Sequence, residues 1–209
     1  MSEETKEELI ESEELAGSSS LAVVEPVPEE KLERVKVDHS KLYVWIADTG
    51  NDRIQKFDGN GKFLFQFGKP GGTRPPYNPG EFKTPGGVAV DMEGKIWVVD
   101  TGCHRVQKFE PDGDFFLEFG SEGWGQEKFY MPESIAVEPM GTILVVDTSN
   151  HCIKRFDDDG FFVLGFGYAG NFDGFLKFPT AAALDKEGNI YVADRDNQRI
   201  QIFNEDGQF

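Results

Sequence analysis

The sequence predicts an all-β chain built of repeated four-stranded blades, an array of the propeller type. Three observations carry this. The stretch Asp48-Thr-Gly-Asn-Asp-Arg-Ile-Gln-Lys-Phe57 recurs as Asp100–Phe109, Asp147–Phe156 and Asp194–Phe203, with 52, 47 and 47 residues between leading aspartates. A near-fixed period of that size marks a repeat architecture. Each unit also holds four short apolar segments punctuated by Gly turns, the pattern of antiparallel strands joined by tight hairpins.

Within a unit, strand a is small-residue-rich: Gly87–Asp91, Ser134–Glu138 and Ala181–Asp185. Small side chains suit a crowded position near an axis. After a Gly turn comes strand b (Lys95–Asp100, Ile143–Asp147, Ile190–Asp194), nearly all apolar, so both faces are expected to be buried. Strand c (Arg105–Phe109 and its copies) alternates apolar and polar, which predicts one wetter face. Strand d is Phe-rich. Phe63, Phe65 and Phe67 fall on one face, as do Phe115, Leu117 and Phe119, then Phe162, Leu164 and Phe166. Burying each such ring contributes roughly 1.5–3 kcal/mol, so these rings are expected to join the units. Long loops rich in Gly, Pro and aromatics lead from d to the next a, each ending in a Pro (Pro85, Pro132, Pro179).

The Phe/Pro lead-in, the Asp-Thr-Gly-Asn-x-Arg loop and the closing Phe-Gly together resemble the NHL repeat over about residues 35–209. The resemblance implies a propeller, usually of six blades. Four units are visible, at 35–68, 86–120, 134–167 and 181–209, with a degenerate first strand at Val35–Val37. An incomplete or open array is therefore one expectation. Closure by Leu21–Val24, the one β-prone segment outside the units, is the other. Residues 1–34 read as an acidic, largely disordered tail.

The net charge is −17. The tail contributes −8 and residues 35–209 the remaining −9. An acidic body makes nucleic acid an unlikely partner. There is no apolar run of the ~20 residues that a membrane helix needs. Two cysteines, Cys103 and Cys152, and an acidic N-terminus fit a reducing, cytoplasmic setting.

The b–c and d–a loops share one rim. Asp48/Arg53, Asp100/Arg105 and Asp194/Arg199 repeat at a spacing of five and are expected to be structural loop pairs. The third unit has Cys152 where Arg is expected. Candidate binding residues on this rim are Asn51, Asp52, His104, Trp124, Glu133, Asn150, His151, Arg195 and Asn197. His104 and His151 beside Cys103 and Cys152 suggest zinc by residue type. Equivalent loops of splayed blades stand too far apart for ligand bonds of ~2.0–2.3 Å, so no metal or other cofactor is expected. Asp157-Asp-Asp-Gly160 lacks the spaced ligands of a calcium loop.

The resemblance implies a non-catalytic interaction propeller that binds a protein or small ligand on this rim, with self-association if the array is open. The alternatives are a metal-dependent lyase or hydrolase, the type of peptidylglycine α-amidating lyase and the gluconolactonase-like propellers, and RNA binding as a weaker third.

Overall fold

A computed structural model describes residues 42–209. The expected tail, the first strand at Val35–Val37 and the closure segment Leu21–Val24 lie outside the described residues. The described chain is all-β, apart from short 3₁₀ turns. The first sheet holds β1 (Tyr43–Asp48), β2 (Arg53–Asp58) and β3 (Phe63–Phe67). The second holds β6 (Pro85–Val90), β7 (Ile96–Asp100), β8 (Arg105–Phe109) and β9 (Phe115–Phe119). The third holds β10 (Ser134–Val137), β11 (Ile143–Asp147), β12 (Cys152–Phe156) and β13 (Phe162–Phe166). The fourth holds β14 (Pro179–Leu184), β15 (Ile190–Asp194) and β16 (Arg199–Phe203). All four are antiparallel meanders in sequence order, as tight Gly hairpins dictate.

The d–a loops return beside the strand they have just left. Lys69–Pro70 (β4) pairs in parallel with Glu81–Phe82 (β5), and single parallel bridges Glu122↔Phe129 and Ala169↔Leu176 repeat this in the next two loops. The return drives Phe82, Phe129 and Leu176 into the core with no exposed surface. Gly68, Gly120 and Gly167 make room for them. Each has φ near +100°, and a Cβ there would stand 2.4–2.5 Å from the incoming side chain. The closing Gly of Phe-Gly is thus required twice, by backbone conformation and by contact distance.

Successive sheets pack face to face through three equivalent cores. Between the first and second sheets, Trp45, Ala47, Ile54 and Phe67 meet Ile96, Val98 and Phe109. Between the second and third, Trp97, Val99, Val106 and Phe119 meet Ile143, Val145 and Phe156. Between the third and fourth, Leu144, Val146, Ile153 and Phe166 meet Ile190, Val192 and Phe203. One ring pair recurs in each: Phe67–Phe109, Phe119–Phe156 and Phe166–Phe203, at centroid distances of 4.8, 4.7 and 4.9 Å. The other strand-d rings differ. Phe63 and Phe115 stay largely exposed and lean edge-on against Phe57 and Phe109 of their own sheet.

Two expectations need correction. Strand b is buried on both faces in β7 and β11, but β1 and β15 each leave one face open. On the fourth sheet that face carries Tyr191, Ile200 and Ile202, with Ile202 opposite Tyr191 in register. On the first it carries Val44 and Ile46. In the second and third sheets strand c is not wetter, every residue of β8 and β12 being buried, and in β16 the exposed residues are the apolar Ile200 and Ile202. Lys108 is fully buried, ion-paired to Asp158 of the next c–d turn and placed 4.3 Å over the Trp97 ring. Arg155 pairs with Glu138 at 2.6 Å. Partners 17 and 50 residues away neutralise these charges, so the polar face can be enclosed. Asp158 makes its pairing with Lys108 from a turn in which its own side chain stays 56% exposed.

Candidate functional site

The b–c loops show why their residues recur. Each makes one 3₁₀ turn and leaves it through a left-handed residue: Asp52, His104, His151 and Gln198, at φ 51, 55, 58 and 54°. Three of these side chains reach across to the next d–a loop. Asp52 Oδ1 accepts the backbone N–H of Thr84 at 2.7 Å, and His104 Nδ1 and His151 Nδ1 accept those of Met131 and Phe178 at 3.0 Å. The three donors are themselves left-handed and each precedes a Pro. His and Asp are therefore interchangeable acceptors in one inter-sheet clamp. His104 also stacks on Tyr130, and burial holds its imidazole below the ordinary pKa. With Nδ1 accepting, the ring proton sits on Nε2.

The Asp at the head of each loop is a second hub. Asp48 binds Asn51 and Arg53, at 2.8 and 2.7 Å. Asp100, fully buried, takes the N–H of Lys83 and the guanidinium of Arg105. Asp194 takes the N–H of Lys177, Asn197 and Arg199. Arg105 and Arg199 reach on to d–a loop carbonyls, Asn78 and Glu81 for one, Phe172 and Phe175 for the other. Asn150 and Asn197 donate to Gly123 and Gly170 as well as to their own Asp. Arg195 is half exposed, bonded to Asp196 and lying over Phe178. Among the nine rim candidates, Asp52, His104, Asn150, His151 and Asn197 are thus occupied in tying loops together, and Asn51 bonds to Asp48 of its own loop. Trp124 stands 77% exposed.

Glu133 is elsewhere. The strands β6, β10 and β14 lie side by side, and Gly86 and Gly87 let β6 approach β10: a Cβ on Gly86 would meet the Glu133 carbonyl at 2.7 Å and Thr101 Oγ1 at 2.5 Å. At the mouth of these strands is an opening lined by Thr49, Thr84, Gly86, Thr101, Glu133 and Thr180. Glu133 is its only carboxylate. The hydroxyls of Thr49 and Thr101 donate to the carbonyls of Pro85 and Pro132, whereas the buried Thr148 hydroxyl has no partner. Repeat comparison alone could have found this set, since Gly86, Glu133 and Thr180 are one aligned position.

Cys103 and Cys152 are buried free thiols. Burial, reinforced by Asp100 and Asp147, pushes both pKa values up to about 12, so neither is a thiolate near neutral pH. Among the described residues no group of three or more His, Cys, Asp or Glu is placed to hold a metal.

The chain carries NHL repeats: three units match, at residues 82–109, 129–156 and 176–203, each running from the buried lead-in residue to the end of strand c. It is 32% identical over 83 residues to NHL repeat-containing protein 2 of Bos taurus, covering 39% of this chain and 11% of that protein. To NHL repeat-containing protein 3 of Homo sapiens it is 32% identical over 76 residues, covering 36% and 20%. The chain thus spans a small part of these relatives. Among solved structures, a streptogramin B lyase superposes with a TM-score of 0.60 at 17% identity, covering 79% of this chain and 49% of that one. A catalytically inactive virginiamycin B lyase from Staphylococcus aureus with quinupristin gives 0.60 at 17%, covering 81% and 51%. A nidogen/laminin complex gives 0.57 at 18%, covering 80% and 59%. These likenesses concern the fold.

They correct one expectation. The expectation of a non-catalytic interaction module, not an enzyme, is not upheld: three of the solved structures that superpose on this fold are B lyases. Among the described residues no helix is long and apolar enough to cross a membrane.

Proposed function

We propose that the four sheets are an arc of an NHL-type propeller, and that the protein serves a lyase or hydrolase reaction at the opening beside Glu133. The supporting observation is the placement of that one carboxylate at the converging mouth of β6, β10 and β14, in a fold similar to that of the B lyases. The open faces of the first and fourth sheets are equivalent to faces buried in the three internal cores. Further sheets, from elsewhere in the protein or from a second copy, are the natural cover for them.

A metal held by this arc alone does not fit. Glu133 has no second acidic or imidazole side chain in the opening, and His104 and His151 spend Nδ1 on the clamps. The role left to the chain is proton transfer: the Glu133 carboxylate accepts a proton from a substrate held against the threonine-lined wall.

The test is turnover of quinupristin and of a panel of lactones and esters, followed by mass spectrometry, with wild type and Glu133→Gln. Positioned acid–base groups are worth roughly 10²–10⁴ in rate, and a loss of that order is expected with the fold intact. Wild-type protein inert on the whole panel, or Glu133→Gln at full activity, would overturn the proposal.

A further inference from the structure

The third unit departs from the other three at one place in space. Its strand c begins with Cys152 where Arg53, Arg105 and Arg199 stand, and continues with Lys154 where Gln55, Gln107 and Gln201 stand. Its strand d has Gly165 where Gln66 and Glu118 stand. The Lys154 ammonium takes over the guanidinium's work: it lies 2.7 Å from Asp147 Oδ2 and donates to the carbonyls of Gly125 and Lys128, the aligned counterparts of Asn78 and Glu81. The planar part of the arginine and the side chain beneath it have no counterpart. A cavity of about 230 Å³ results, walled by Trp124, Phe162 and Tyr168, floored by Gly165 and Cys152, and reached by Asn150.

We propose that this cavity is a binding site for a neutral, planar aromatic ring carrying one N–H or O–H donor. Size allows one small ring system, since the volume falls below the ~300–1,000 Å³ of drug-sized sites. Planarity follows from the equivalent place in the second unit. There the Arg105 guanidinium lies 5.6 Å from the ring of Tyr77, the residue aligned with Trp124. Neutrality follows from charge: Lys154 and Asp147 satisfy each other, and the carboxylate that Glu118 offers to Arg105 is absent from Gly165. The donor follows from Asn150, whose Oδ1 is buried without a partner while its Nδ2 is bonded to Gly123 O and Asp147. A ring N–H or O–H would satisfy that oxygen. No residue of the opening beside Glu133 lines this cavity, so the site stands independently of the proposed catalysis.

The probes are indole and 1-methylindole, with cyclohexanol as a non-planar control, titrated into the full chain by calorimetry and ligand-observed NMR. Indole is expected to bind with Kd of about 1 mM or tighter, 1-methylindole roughly 10-fold more weakly for want of the donor, and cyclohexanol not measurably. Gly165→Leu fills the cavity from its floor. A Cβ there meets only ordinary contacts, the nearest at 3.5 Å, so the fold should tolerate it while indole affinity drops by about 10-fold or more. Trp124→Ala removes an exposed wall and should weaken indole about 5-fold or more with the melting temperature unchanged. Absence of indole binding to wild type at about 5 mM, or unaltered binding in both variants, would overturn the site. Equal affinity for indole and 1-methylindole would overturn the role given to Asn150.

Discussion

Lys154→Gln gives the third unit the residue that the other units carry, and it is expected to harm the protein. Asp147 is fully buried, and the Lys154 side chain is 7% exposed. A glutamine can still donate one neutral hydrogen bond to the carboxylate, as Gln107 and Gln201 do at 3.3 and 3.2 Å. It cannot neutralise the charge, and the carbonyl of Gly125 loses its donor, while that of Lys128 can still be served as Gln107 and Gln201 serve Glu81 and Phe175. Breaking a buried pair costs about 3–5 kcal/mol; the retained amide bond argues for the lower end, about 3 kcal/mol. For a chain of this size that is a fall in melting temperature of roughly 6–12 °C. Cys152→Arg alone places a second cation beside acceptors already used by Lys154 and should destabilise slightly. The double variant restores the arrangement of Asp194, Arg199 and Gln201, in which Nε serves the aspartate and Nη2 the two loop carbonyls. It should return to within about 1 kcal/mol of wild type, a coupling of about 2 kcal/mol or more. Urea denaturation of the four proteins measures the cycle. Additive effects would refute the claim that Lys154 replaces the arginine.

Other outcomes follow from the same contacts. Phe156→Ala, which empties a fully buried ring position between Phe119 and Phe129, should cost about 3–5 kcal/mol, whereas Phe115→Ala, at a ring 39% exposed, should cost about 1 kcal/mol or less; equal losses in urea melts would contradict the packing described. The His104 pKa is lowered by burial, so its neutral form is favoured by folding. That contribution is complete above the unfolded value of ~6.5 and is lost as pH falls through the folded value. Melting temperature should therefore drop below pH ~6.5, and His104→Asp, which copies the Asp52 clamp, should flatten that step. Cys103 and Cys152, with thiol pKa values near 12, should react with iodoacetamide at pH 8 far more slowly in native than in urea-unfolded protein; equal rates would show that the loops open readily.

The sheets were legible in the sequence because a repeat reports each strand several times. One Gly-turn-bounded apolar run is ambiguous between strand and buried helix, but aligned copies ending in Phe or Asp at the same place are not. What the pattern missed depends on the neighbouring unit. Lys108 and Arg155 look like solvent-facing alternation within their own strand; only the stacking of sheets brings Asp158 to Lys108 and the Glu205 carbonyl to Arg155, whose carboxylate partner Glu138 follows β10 of its own sheet. The lead-in residues Phe82, Phe129 and Leu176 fall within the long d–a loops by sequence, yet each is carried inward by a parallel bridge that precedes the proline.

The candidate sites were half legible, for a related reason. His104, His151 and Asp52 stand at one aligned position; what they accept from, a left-handed N–H 27 or 32 residues on, is a property of packed loops. Cys152 was visible as a missing arginine. Its consequence needed two further residues on two strands. Lys154 keeps the arginine's polar contacts and so keeps the third unit folded, while Gly165 removes the side chain beneath. Losing the arginine alone would strand Asp147 in the core, and losing only the strand-d side chain would leave the guanidinium filling the space. Only the three changes together yield a stable loop with a cavity beside it.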